Sequence, residues 1–214
     1  MKDIPLFDTD TGVSSLVLKE IPYRQTAYIR IQSVQPGGLE AHLKECAGFC
    51  RMCGAERIYA TGHTELEKYP LYCAVRTMNR RTPDWEPTDH LFPVTEPTVA
   101  RWREIYNERM RGVDNAATLE ARDENRILES GGAYFVHRQG ELLGIGWLED
   151  GKLLAVAAAI PGAGERVMHT LMSLDEGGQI TLEVASTNER AIRLYERLGF
   201  VKTREINRWY RVLG

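Results

Sequence analysis

The sequence predicts a mixed α+β fold, written most plainly in residues 91–214. Three observations carry this. Turn signals at Gln139-Gly140 and Asp150-Gly151 divide three apolar-rich runs of strand length, which predicts an antiparallel meander. Residues 152–198 then run strand, glycine loop, helix, strand, helix. Residues 98–110 carry apolar side chains at helical spacing.

The elements follow in order. TPDWEPTDHLFPVTEP, 82–97, holds four prolines, and proline restricts both itself and the residue before it. A linker over 82–90 and a short strand, Leu91–Val94, are expected there. In TVARWREIYNERM, 98–110, residues Val99, Trp102, Ile105, Tyr106 and Met110 share a helix face. LEARDENRILES, 119–130, is a more polar helix that stops before Gly131-Gly132. AYFVHR (133–138), ELLGIGWLE (141–149) and KLLAVAAAI (152–160) make the meander, the last being apolar enough to lie centrally. PGAG, 161–164, leads to a helix over 165–174, and ITLEVAS, 180–186, is a strand. A crossover through a helix makes strands 152–160 and 180–186 parallel neighbours. NERAIRLYERLGF, 188–200, is a helix started by Ser186 and Glu189 at capping-box spacing and stopped by Gly199. Residues 201–213 supply one long strand or two short ones.

Residues 27–61 echo this order: strand, Pro36-Gly37-Gly38, helix, strand. TELEKYP, 64–70, reads as a stunted second helix and LYCAVRTM, 71–78, as a closing strand. Either the chain holds a degenerate repeat, or all α/β units look alike at this level. On the first reading, residues 1–81 form a partial copy, 82–90 a linker and 91–214 a complete domain.

The bulk composition excludes little but points one way. Net charge is −3 and the pI about 6.0, with no general pull toward nucleic acid or anionic membrane. The start MKDIPLFDTDTG has no apolar signal segment, and the longest apolar run, LLAVAAAI, is far short of a span. Four cysteines do not describe a disulfide scaffold. A cytoplasmic protein with no nucleic-acid or membrane partner is expected.

His42, Cys46, Cys50 and Cys53 fall near one helix face. Ligands along one straight helix would span about 16 Å, too far for a single ion, so no metal is expected. A buried stripe, or a redox-active Cys50–Cys53 pair, remains open.

The loop 161–164 joins a strand to a helix whose first N–H groups have no internal partner and suit phosphate. Gly162 and Gly164 have no side chain to obstruct a pyrophosphate. No Lys-Ser or Lys-Thr follows, as a P-loop requires, and the third glycine of a dinucleotide fingerprint is missing. Parallel strands put the loop and the start of helix 188–200 at the same sheet end, where ligands bind. Tyr195 is either an amphipathic core residue or a proton donor beside that loop.

The pattern N188-x-x-A191-I192-x-L194-Y195-x-x-x-G199-F200 resembles the hallmark segment of the GCN5-related N-acetyltransferase superfamily. GELLGIGWLEDGKLLAVAAAI and PGAGERVMHTLM resemble its central strands and pyrophosphate loop, so the resemblance covers about residues 91–214. It implies a three-layer α/β/α, acyl-CoA N-acyltransferase-like fold with a central mixed sheet and an incomplete tandem N-terminal half. It further implies an enzyme that moves an acetyl group from acetyl-CoA to the amine of a small molecule. Carried over by position, Ala157, Ala158, Ala159 and Ile160 would pair with the pantetheine amides. Ile160, Gly162, Ala163, Gly164, Glu165 and Arg166 would hold the pyrophosphate through backbone N–H groups. Asn188 would contact the cofactor arm, and Tyr195 would protonate the departing thiolate. Ala159 stands where the family usually has a basic residue or Gln, with Arg166 as compensation from the first helical turn. For the base that accepts the amine proton, Glu149 and Glu183 are the candidates, and the sequence does not choose between them. A non-catalytic acyl-CoA sensor, or acetylation of a peptide or protein N-terminus, are the alternatives, and a homodimer is possible.

Overall fold

A computed structural model describes residues 4–81, 86–175 and 178–213. The chain runs β1 (Leu6–Thr9), β2 (Gly12–Val17), α1 (Ile21–Arg24), β3 (Thr26–Val34), α2 (Leu39–Met52) and β4 (Arg57–Thr61). A 3₁₀ turn (Thr64–Lys68), β5 (Leu71–Arg81), β6 (His90–Pro93) and α3 (Val99–Met110) follow. A second 3₁₀ turn (Ala121–Asp123) opens α4 (Glu124–Ser130). Then come β7 (Ala133–Arg138), β8 (Glu141–Glu149), β9 (Lys152–Ala158), α5 (Gly164–Met172), β10 (Gln179–Ala185), α6 (Glu189–Arg197) and β11 (Val201–Leu213).

Contacts group these into two compact units. The first holds Met1–Val75 with Glu205–Gly214, the second Arg76–Arg204. The division therefore falls inside β5 and β11, not at the proline-rich stretch. Of the expected linker 82–90, residues 82–85 lie outside those described, as do the ends 1–3 and 214.

In the first unit β1, β2 and β3 are antiparallel, and β3 crosses over through α2 to parallel β4. The C-terminal part of β11 lies antiparallel on β4. Ala27, Ile29, Ile31, Ile58 and Ala60 bury one sheet face against Leu39, Leu43, Ala47 and Cys50 of α2. The β1–β2 hairpin was not anticipated. Its signal is Asp10-Thr11-Gly12, where Thr9 Oγ1 accepts from the Thr11 and Gly12 N–H groups.

His42, fully buried on α2, ties that hairpin down. Its Nδ1 lies 2.8 Å from Thr9 Oγ1 and its Nε2 2.7 Å from Ser14 Oγ. Cys46 and Cys50 are buried beside it, and burial pushes their thiols up to about 11 and about 12, which suppresses thiolate. Cys53 is exposed and Cys73 buried. A thiol reagent on native protein should therefore label Cys53 alone, and all four cysteines only under denaturant. Rapid labelling of Cys50 would restore the redox reading. Among the described residues no group of three or more His, Cys, Asp or Glu is placed to hold a metal.

The second unit repeats the connection order. β7, β8 and β9 form the expected antiparallel meander, and β9 crosses over through α5 to parallel β10. β6 adds to β7, and the end of β5 lies beside β10. Two helical layers cover this sheet. Val167, Met168 and Leu171 of α5, with Ile192 and Tyr195 of α6, pack on Leu143, Leu153, Leu182 and Val184. Trp102 and Ile105 of α3, with Ile127 of α4, pack on Ile145, Trp147, Ala155 and Ala157. Gly146 lets α5 approach, since a Cβ there would lie 2.1 Å from Leu171 Cδ1.

Several boundaries moved. The helix expected over 119–130 opens as a 3₁₀ turn, which a Glu120–Asp123 capping box starts, and becomes α-helical only from Glu124. α6 is capped by Asn188, whose side chain accepts from the Ala191 N–H at 3.3 Å, not by Ser186. Residues 201–213 form one strand. No helix among the described residues is long and apolar enough to cross a membrane.

Candidate functional site

The loop leaving β9 is built as a strand-to-helix turn with its donors exposed. The Ala159 N–H still bonds Leu143 O at 2.8 Å, and the chain then turns, with the Ala163 N–H 3.3 Å from Ile160 O. Gly162 has φ +84°, and a Cβ there would meet nothing within 4 Å. Its requirement is therefore the left-handed backbone, in open space. The first helical bond of α5 runs from the Val167 N–H to Ala163 O, 2.9 Å. The N–H groups of Gly164, Glu165 and Arg166 precede it and have no helical acceptor. Ala163 offers no side-chain cap. A Cβ on Gly164 would lie 3.2 Å from Leu194 Cδ2, so α6 abuts the loop.

Beside this loop two parallel strands part. β9 and β10 pair only at Lys152↔Thr181 and Leu153↔Leu182. Both continue, to Ala158 and Ala185, without pairing each other. From Leu154 to Ala158 the β9 edge facing β10 has no strand partner, while Ala157 and Ala158 keep their β8 partners. In the first unit the pairing runs further: all five residues of β4 pair with β3, from Thr26↔Arg57 to Arg30↔Thr61. There the loop is covered too, because the Gln35 N–H bonds Thr11 O at 2.8 Å and a Cβ on Gly38 would meet Thr11 Cβ at 2.9 Å.

Tyr195 is 8% exposed, with its ring 5.9 Å from that of Phe200. Burial pushes its pKa up to about 12. Arg80, near the end of β5, donates from Nη1 to Leu198 O and so secures the C-terminus of the helix that carries Tyr195. No sequence signal links Arg80, within residues 1–81, to this helix. Asn188 spends its side-chain oxygen on the cap of α6, leaving its amide N–H groups for a ligand.

The two candidate bases separate. Glu183 is exposed and follows Leu182, the last residue of β10 paired with β9, so it stands where the strands part. Glu149 faces Lys152 at the hairpin, 3.8 Å from Arg126 Nη2. The seven residues of β9 separate it from the loop, about 20 Å of strand.

The Arg166 side chain is engaged by a carboxylate outside the loop. Its Nε lies 3.0 Å from Asp89 Oδ2, its Nη2 bonds Oδ1, and Arg138 Nε reaches the same carboxylate at 2.8 Å. The Arg166 hydrogen bond, with the Arg138 charge, holds Asp89 below the usual carboxylate range. The Arg166 backbone N–H, in the first turn of α5, has no helical acceptor. The guanidinium that does touch the loop belongs to Arg109 of α3, whose Nη2 donates to Ala159 O at 2.6 Å. Among the many arginines of residues 101–111, no sequence signal set it apart.

The architecture is the mixed α/β fold of the GCN5-related N-acetyltransferases. A structure of one from Sphaerobacter thermophilus superposes with a TM-score of 0.59 at 13% identity, covering 94% of this chain and 77% of that one. A tandem GNAT protein from the clavulanic acid biosynthesis pathway gives 0.53 at 14% identity, covering 94% and 79%. In sequence the chain is similar to the N-alpha-acetyltransferase RimI of Mycobacterium tuberculosis, 38% identical over 53 residues. That stretch is 25% of this chain and spans about a third of the relative's length, 34%. No protein-family model matches the chain.

Proposed function

We propose that this protein belongs to the GCN5-related N-acetyltransferase superfamily and transfers the acetyl group of acetyl-CoA directly to the amine of a small molecule. The observation that carries this is the parting of β9 and β10 beside an uncapped helix N-terminus. Within Ala157–Ile160, the edge left free at Ala157 and Ala158 suits the amides of an extended pantetheine arm, which would add to β9 like a strand and run on past Ala159 and Ile160. The N–H groups of Gly162, Gly164, Glu165 and Arg166 suit a pyrophosphate. Asn188 would hold the arm from the far side.

Acetyl-CoA supplies an activated acyl thioester when bound. The chain's own residues supply proton transfer. The acceptor must attack as a neutral amine, and its proton leaves to Glu183, directly or through water, with Glu149 the alternative. Tyr195, protonated at any working pH, would hold the proton that the departing thiolate needs.

The first unit supports the tandem reading, with residues 1–81 as a partial copy, 82–90 as linker and 91–214 as the transferase domain. It has the same strand order, but its strands are zipped and its loop covered. One acetyl-CoA per chain is therefore expected. A second reading, acetylation of a protein N-terminus, draws on the name of the Mycobacterium relative.

Calorimetric titration tests the reading. Wild type should bind acetyl-CoA at about one per chain, and Gly164→Glu should bind none, since it adds bulk against Leu194 and negative charge at the helix start. Folded wild type that binds no acetyl-CoA would end the proposal. A panel of small amines beside N-terminal peptides, read by thiol release, separates the two acceptor readings.

A further inference from the structure

We propose that Arg109 is the cation that neutralises a phosphate-bearing ligand at the β9–α5 loop, held in place by its bond to Ala159. The inference rests on the acyl-CoA reading and goes beyond it. A pyrophosphate carries several negative charges, and backbone N–H groups supply only partial positive charge. Between Ala159 and Glu165 the one charged side chain is Glu165, which is exposed and negative. Arg166 follows, but its Nε and Nη2 are engaged by the buried Asp89 carboxylate, which it shares with Arg138.

Arg109 differs from both. It is exposed, on the last turn of α3, and forms no ion pair among the described residues. One of its five N–H donors is spent on Ala159 O, the last carbonyl before the turn. That single bond fixes the guanidinium at the root of the loop and leaves four donors and a full charge. A planar, always-charged fork is the side chain best matched to phosphate oxygens. A substitution of an exposed helical Arg by Gln or Lys keeps helix propensity, so both variants are expected to fold.

The test measures acetyl-CoA affinity of wild type, Arg109→Gln and Arg109→Lys at low and high salt, with thermal melts to confirm folding. Arg109→Gln should bind about 10- to 100-fold more weakly at low salt. Its affinity should also depend less on salt than that of wild type. Arg109→Lys should recover a substantial part of the loss, because it keeps the charge. Equal affinity of wild type and Arg109→Gln overturns the inference while leaving the function intact. So does an equal loss in Arg109→Gln and Arg109→Lys, which would assign Arg109 to the geometry of Ala159 alone. Wild type that binds no acetyl-CoA in the same titration removes the functional reading itself, and this inference with it.

Discussion

Tyr195→Phe is expected to slow turnover by about 10²–10⁴-fold, the range for losing a positioned general acid. Affinity for acetyl-CoA and thermal stability should hardly change. The substitution deletes one oxygen and keeps the ring that packs against Phe200 in the core of the second unit. The hydroxyl makes no hydrogen bond to protein among the described residues, so its removal strands no partner. Burial lifts its pKa to about 12, so the acid stays protonated throughout the working range. Any limb of the pH–rate profile below pH 9 then belongs to the acceptor amine or its base, and the variant should keep that limb at lower height. Steady-state thiol release across pH, beside melting curves, decides this. A variant with unchanged turnover would reduce Tyr195 to a core residue and assign protonation of the thiolate to another donor.

The second unit was legible because its signals are local. Asp150-Gly151 sets a hairpin with φ of +47° and +69°, and α6 shows its buried face in Ile192 and Tyr195. The parting of β9 from β10 was not legible. Pairing between parallel strands depends on residues 29 positions apart, as in Lys152↔Thr181, and no side chain announces where it stops. The same holds for Asp89, which sits in a proline-rich stretch that reads as linker, yet has its side chain fully buried between two arginines. Arg166 shows the cost of reading a motif alone: it stands in the first helical turn after the loop, but a partner 77 residues away took its side chain.

That carboxylate gives the second large effect, on stability. Asp89 accepts from Arg138 Nε at 2.8 Å, from Arg166 and from Thr88 Oγ1 at 3.1 Å. Arg138 Nη2 also reaches Thr88 O at 3.2 Å, and Thr88 Oγ1 lies 3.1 Å from Thr170 Oγ1. One buried charge thus fastens the approach to β6 onto β7 and α5. Asp89→Asn keeps the shape but leaves two guanidiniums facing an amide, and should cost about 1.5–3 kcal/mol, the range for hydrogen bonds to charged groups. For a chain of this size that is about 2–4 °C of Tm for each kcal/mol. The pH dependence follows from the direction of the shift. Asp89 is held below its ordinary 3.8, so its folded form gives up a proton that the unfolded chain keeps. The stabilisation is complete above about pH 4–5 and is lost as pH falls through the lowered folded value. The melting curves of wild type and Asp89→Asn should lie apart at neutral pH and converge in acid. A gap that stays constant from pH 7 to pH 3 would mean that packing, and not the charge, holds this corner together.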